Sequence, residues 1–372
     1  MLRLLVNFQI QISMTTQLSV NTYFDEAVGL LKQLIETPSL SGEEEKTARL
    51  IEDFLVERNV RFARKGNNVW AKNASFDLSK PTILLNSHHD TVKANSGYSR
   101  NPFEAETEDG KLFGLGSNDA GGSLVSLIMT FLHFYNKELP YNLILAATAE
   151  EENSGPNGVE SILGELKPIE FGMIGEPTEM KMGVAEKGLV VMDCYANGKS
   201  GHAAREVGDN AIMNAISDIQ WLNEYQFEKE SSYLGPIKMT TTMINAGYQH
   251  NVIPDTCHFV VDVRTTDSYS NKEVFEILAK HLKSEVKPRS LRLNSSHLPE
   301  NLKISKVANV MGLEKFGSPT CSDQAIMDFP TFKMGPGKSE RSHTADEFIY
   351  LNEIKEGIAG YIQLLENLFN HQ

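Results

Sequence analysis

Short apolar runs that end in histidines or acids recur through the first half of the chain. Residues 82–85, 143–147 and 171–174 each have the length of a buried strand. They run out into Ser87-His88-His89-Asp90, Thr148-Ala149-Glu150-Glu151-Glu152 and Gly175-Glu176-Pro177-Thr178. Segments 60–63 and 68–71 also read as strands. Between them lie helical stripes: Phe24, Ala27, Val28, Leu31 and Ile35 share one face of residues 23–37, which stop before Pro38. Ser41-Gly42-Glu43-Glu44 has the form of a capping box, and Ala48, Ile51 and Leu55 continue one face of the helix it would open. A loop over 93–109 turns at Asp109-Gly110, and Gly114 to Asp119 lead into an apolar, and so buried, helix over 124–135.

From residue 181 the pattern changes to strand 188–195, helix 210–223, strands 237–244 and 256–265, then helix 272–284. That order suits a small antiparallel sheet backed by helices. The chain is therefore expected to be α/β, with a first domain built from 1–180 and 291–372 and a second, 181–290, inserted into it.

Composition narrows the function. A length of 372 residues suits two domains, and 49 acidic against 35 basic residues leave a formal charge of −14, which argues against nucleic acid or an anionic membrane as partner. Three widely spaced cysteines, Cys194, Cys257 and Cys321, make neither a disulfide framework nor a zinc finger and point to a reducing compartment, the cytoplasm. Residues 1–13 are too polar for a signal peptide, Met14 is an alternative start, and no run approaches the roughly 20 apolar residues that span a bilayer.

The candidate chemistry lies where the apolar runs end. Imidazole is the commonest zinc donor, and His88-x-Asp90 offers it a carboxylate partner two residues away. Asp119, the Glu151-Glu152 pair and Glu176 follow three further elements, and such ends gather on one edge of a doubly wound sheet. His343 adds a second imidazole near the end of the chain. Two His, one Asp and three Glu are the ligand supply of a two-metal hydrolase rather than of a structural zinc site.

In these motifs the chain resembles the aminoacylase, acetylornithine deacetylase and succinyl-diaminopimelate desuccinylase family of co-catalytic zinc hydrolases. The likeness runs from about residue 23 to the end. It rests on Ser87 to Val92, Gly114 to Gly122, Thr148 to Glu152, Gly175 to Thr178 and His343, and in the inserted part on Ser200-Gly201-His202, Asn251 to Pro254 and Asp262-Val263-Arg264. The resemblance implies a zinc-peptidase-like catalytic domain, with a mixed central sheet and helices on both faces, and a ferredoxin-like lid and dimerisation domain. It implies two divalent ions, zinc or cobalt, one held by His88, Asp119 and Glu176 and the other by Asp119, Glu152 and His343.

By the same likeness, Asp90 orients His88 and Glu151 is the general base. His202 stabilises the oxyanion, reaching the active site of the partner in a homodimer. Asn251 and Arg264 grip the substrate's α-carboxylate, and a cis peptide follows Asp119. The implied substrate is a small N-acyl amino acid, N-acetylornithine foremost. N-acetylcitrulline, N-succinyl amino acids, carrier-bound lysine or ornithine, and di- or tripeptides are the alternatives, as is a silent binding protein of the same fold. Ser87, Lys93 and Gly121 depart from the family's usual residues, and none of them is a ligand. His89, His250 and His258 match no role and are read as structural.

Overall fold

The computed structural model describes residues 14–205 and 207–370; the choice between Met1 and Met14 as start turns on residues 1–13, outside those described. The chain gathers into two compact units. One takes the chain up to Met182, Glu300–Glu314 and the stretch from Lys333 onward; the other takes Gly183–Pro299 and Lys315–Phe332. The second is thus interposed in the sequence of the first. It also takes in residues 291–299 and 315–332, which the apolar pattern had left with the first domain, because strands Ser296–His297 and Lys315–Ser318 both pair with the strand Met182–Glu186.

In the first unit the strands Phe62–Lys65, Asn68–Lys72, Asn142–Thr148, Thr82–His88 and Phe171–Ile174 lie side by side in that order. Asn68–Lys72 runs antiparallel to both its neighbours, whereas Thr82–His88 runs parallel to both of its own. The sheet is therefore mixed, as expected. Thr82–His88 and Asn142–Thr148 are buried along their whole length, which is why they read as unbroken apolar runs instead of alternating. Helix Gly122–Phe134 packs on both and is buried at nearly every position. A helix enclosed on all sides carries no charged face, and the buried Ser126 and Thr130 hydroxyls donate to the helix's own carbonyls. Helices Met14–Ile35 and Leu351–Asn370 pack against it.

The parallel register decides where the chemistry goes. His88 lies opposite Thr148, and Asn86 opposite Ile174. The loops that follow His88, Thr148 and Ile174 consequently leave the sheet on one edge, where open α/β sheets form their sites.

One local expectation fails. Helix Glu45–Glu57 starts without a side-chain cap, so Ser41 to Glu44 are not a capping box. Ser41 Oγ instead donates to Asp90 Oδ2 at 2.7 Å, and the Glu44 carboxylate turns inward to accept from Gly42 N and Asn67 Nδ2.

The second unit has strand Gly188–Asn197, helix Ala211–Glu224, strands Lys238–Ala246 and Thr256–Thr265, helix Asn271–His281 and strand Glu285–Pro288. Their spatial order is second, third, first, fourth, with all neighbours antiparallel. This is the ferredoxin-like arrangement. Alternate residues of two strands, Val190, Met192 and Cys194 with Phe259, Val261 and Val263, bury against Ala215 and Leu222 of one helix and Val274 and Leu278 of the other. Cys194 and Cys257 sit in that core as free thiols. Among the described residues no helix is long and apolar enough to cross a membrane.

Candidate metal centre

His88 ends its strand fully inside the protein. Its Nδ1 lies 3.0 Å from the Asp90 carbonyl oxygen and 3.4 Å from Asp90 Oδ1. Both are acceptors, so in the neutral ring the proton sits on Nδ1 and the Nε2 lone pair points the other way. There Nε2 is 3.4 Å from Asp119 Oδ1 and 4.0 Å from Glu176 Oε1. Asp119 Oδ2 stands 3.6 Å from His343 Nε2, which is 2.9 Å from Glu152 Oε2. Asp119 thus turns one oxygen to each histidine. The structure brings together His88, Asp119, Glu152, Glu176 and His343, and a cis bond joins Asp119 to Ala120.

Ionisation reflects this crowding. Burial and the neighbouring Asp119 charge push the Glu176 carboxyl up to about 8. His343 is raised to about 9, chiefly by its hydrogen bond to Glu152. For His88, burial opposes the charge, yet Asp119, Asp90 and the Glu151 charge outweigh it and hold the ring well above its ordinary value. Burial likewise opposes ionisation of Asp119, and His88 overcomes it. Carboxylates gathered this closely call for positive charge.

Divalent cations fit the residues present. His88 Nε2 and Glu176 Oε1 are buried atoms with no hydrogen-bond partner. His88, Asp119 and Glu152 offer donor atoms within 4.8 Å of one another. Zinc bonds nitrogen and oxygen at about 2.0–2.1 Å, so tetrahedral donors stand about 3.4 Å apart. The separations from Asp119 to the two histidines, 3.4 and 3.6 Å, match that spacing.

Asp90 and several residues to which sequence reasoning assigned no site role hold these ligands in place. Asp90 accepts the N–H groups of Glu151 and Glu152, each at 3.1 Å, besides the Ser41 hydroxyl. Glu347, 2 % exposed, accepts from the backbone of Gly116, Asn118 and Asp119 at 3.1, 2.8 and 2.9 Å. The Asn118 side chain exchanges two hydrogen bonds with the Lys338 backbone. Gly337 lies at φ 91, and a Cβ there would stand 2.4 Å from Asn118 Oδ1. Ser87 donates to Gly175 O at 2.8 Å, tying two strand ends together. His89 is buried between Thr47 and Asn67 O.

The other expected site residues belong to the second unit. His202 and Asn251 share a small ribbon, Gly201–His202 paired with Val252–Ile253. His202 is exposed, and its Nδ1 accepts the Ala204 N–H at 3.1 Å, so the neutral ring carries its proton on Nε2. Asn251 Oδ1 is buried without a hydrogen-bond partner. Arg264 is engaged: its Nε and Nη2 donate to the two oxygens of Asp262 at 2.8 and 3.1 Å.

Comparison with known proteins places this geometry. The chain is 26% identical over 372 aligned residues to an acetylornithine deacetylase of Proteus mirabilis, covering 91% of this chain and 96% of that one. It is 24% identical over 377 aligned residues to a succinyl-diaminopimelate desuccinylase of Wolbachia pipientis, covering 93% and 94%. Its fold matches that of a Bacillus subtilis protein described as a dinuclear metal binding peptidase from the M20 family, with a TM-score of 0.70 at 17% identity, over 95% of this chain and all of that one. The model of peptidase family M20/M25/M40 matches residues 84–367, well over half the chain. The chain is therefore a metallohydrolase belonging to peptidase family M20/M25/M40.

Proposed function

We propose that this metallohydrolase removes the acyl group from the α-nitrogen of an amino acid, with N-acetylornithine, an intermediate of arginine biosynthesis, as substrate and the cytoplasm as its place. The observation that carries this reading is the alignment with an acetylornithine deacetylase along nearly the whole of both chains. His88, Asp119 and Glu176 would hold one divalent ion and Asp119, Glu152 and His343 a second, zinc by preference and cobalt as substitute. When bound, such ions polarise the amide carbonyl and make water acidic enough to be deprotonated near neutral pH.

The chain's own residues then have distinct duties. Asp90 keeps the His88 ring oriented. Glu151 takes a proton from the attacking water as the new C–O bond forms, and passes it to the amine nitrogen as the C–N bond breaks. His202, with its proton on Nε2, donates to the carbonyl oxygen as charge develops there. Asn251 offers its side chain to the substrate's α-carboxylate, and Arg264 offers the donors that Asp262 does not occupy.

We further propose that the inserted unit serves as lid and dimerisation surface. Strand Lys238–Ala246 is an edge strand, and its Met243 and Ile244 side chains are 52% and 50% exposed, the features of a pairing surface. The second reading is a di- or tripeptidase, favoured by the likeness to a solved metal-binding peptidase. A hydrolysis panel of N-acetylornithine, N-acetylcitrulline, N-succinyl amino acids and simple dipeptides, with zinc and with cobalt, tests both. Faster turnover of dipeptides than of any acyl amino acid reverses the order, and no metal-dependent turnover at all favours a silent binding protein.

A further inference from the structure

Three successive backbone N–H groups in the acidic loop end on two carboxylates from elsewhere in the first unit. Glu150 N donates to Glu44 Oε1 at 3.2 Å, Glu151 N to Asp90 Oδ1 and Glu152 N to Asp90 Oδ2, both at 3.1 Å. Each carboxylate is itself held. Glu44 also accepts from Gly42 N at 2.6 Å and from Asn67 Nδ2 at 2.8 Å, and Asp90 from Ser41 Oγ at 2.7 Å. Glu44 is completely buried, and burying a carboxylate against neutral N–H groups is costly. Glu150 lies at φ 54, a left-handed conformation that a residue with a side chain seldom adopts. A turn that served only to start helix Glu45–Glu57 would spend Ser41 and Glu44 on the N–H groups of that helix, yet the helix begins without a side-chain cap.

We propose that Glu44 and Ser41 are positioning residues for the general base. Fixing three N–H groups in a row fixes the peptide planes on either side of Glu151, and with them the direction in which its side chain leaves the backbone. Ser41 acts through Asp90, and Glu44 acts directly on the turn at Glu150. Neither touches the substrate. The inference rests on the reading of Glu151 as the base.

The test is steady-state kinetics of the metal-loaded enzyme on an acyl amino acid that the wild type hydrolyses, with zinc per chain and Tm measured on the same samples. Glu44→Ala should lower kcat by about 10- to 100-fold, the scale of a misplacement near one ångström, with KM within about twofold and zinc per chain unchanged. Glu44→Gln keeps an amide oxygen that accepts from both Gly42 and Glu150 but sets its N–H against Asn67 Nδ2, so it should lower Tm while recovering part of kcat. Should Glu44→Ala fail to fold, the half-buried Ser41 carries the test: Ser41→Ala should lower kcat about fivefold, for loss of one hydrogen bond to a charged group, and Ser41→Thr should restore it. Wild-type kcat in Ser41→Ala and Glu44→Ala beside a dead Glu151→Gln overturns the inference alone. It is also overturned if Ser41→Thr fails to restore kcat, or if Tm falls with kcat unchanged. Turnover that survives Glu151→Gln overturns the base reading and the inference with it.

Discussion

Glu151 and Glu152 are neighbours in sequence to which the proposed mechanism gives different duties, and one substitution at each tests them. Glu152 faces His343 Nε2 at 2.9 Å and lies in the donor cluster with His88 and Asp119. Glu151→Gln is expected to keep the full metal content while turnover drops about a hundredfold or more, whereas Glu152→Gln should bind metal more weakly. Metal analysis with the opposite pattern would exchange the two roles. For Arg264, whose Nε and Nη2 already serve Asp262, Arg264→Lys should raise KM for substrates with a free α-carboxylate and leave amidated ones nearly unaffected, because lysine lacks the planar fork. Equal losses on acid and amide would make the Asp262 pair its whole purpose. His88, Glu152 and Glu176 were legible in sequence because each follows an apolar run that marks a strand end, whereas Asp119 and His343 were assigned by the family resemblance. Ser41, Glu44 and Glu347 were not legible, because partners that meet them only in the fold, 49 residues away for Ser41 and Asp90 and 228 for Glu347 and Asp119, make their roles.

The irregular turn Ser117–Gly121 is the element on which the centre hangs, since Asp119 lies in it. Glu347 and Asn118 stitch it to the segment that carries His343. Glu347→Gln would set an amide N–H against a backbone N–H in a buried place, a loss of about 1–3 kcal/mol. Thermal unfolding should register it, and a zinc titration should show weaker binding; wild-type behaviour in both would mean that the turn holds itself. Strands Phe171–Ile174 and Thr256–Thr265 match their apolar patterns to the residue. Helix Met14–Ile35 starts nine residues ahead of the stripe that revealed it. The capping-box motif misled because Ser and Glu at that spacing are equally able to serve a distant partner, and here Asp90 and Glu150 claim them.

Across the molecule, the motifs made the family legible, the mixed sheet came with that resemblance, and the strand ends accounted for part of the donor cluster. The extent of the second unit did not, because strands such as Lys315–Ser318 join it through pairing with residues far away in sequence. Stripping the metals with a chelator is expected to lower Tm. Free zinc at a hundred times its dissociation constant stabilises the native state by about 2.7 kcal/mol, so re-addition should restore the lost degrees. An unchanged Tm would mean that the centre does not bind zinc. If His202 serves its partner, mixing inactive His202→Ala with inactive Glu151→Gln under subunit exchange should regenerate activity, in sites that combine one good base with one good histidine. No recovery after proven exchange would place His202 within its own chain or outside the chemistry.

Glu152 and His343, in contact in the centre, are 191 residues apart along the chain, with the inserted unit coming between them in sequence. A ribosome delivers the last donor long after the first four, so zinc met by a nascent chain finds an incomplete set. Closure of so wide a loop has a high entropic barrier and belongs late in folding. Once made, the contact acts as a clasp between the early and late parts of the first unit. Loss of metal removes one tie from the clasp without cutting the chain, and the partly exposed loop 339–345 is where proteolysis should begin.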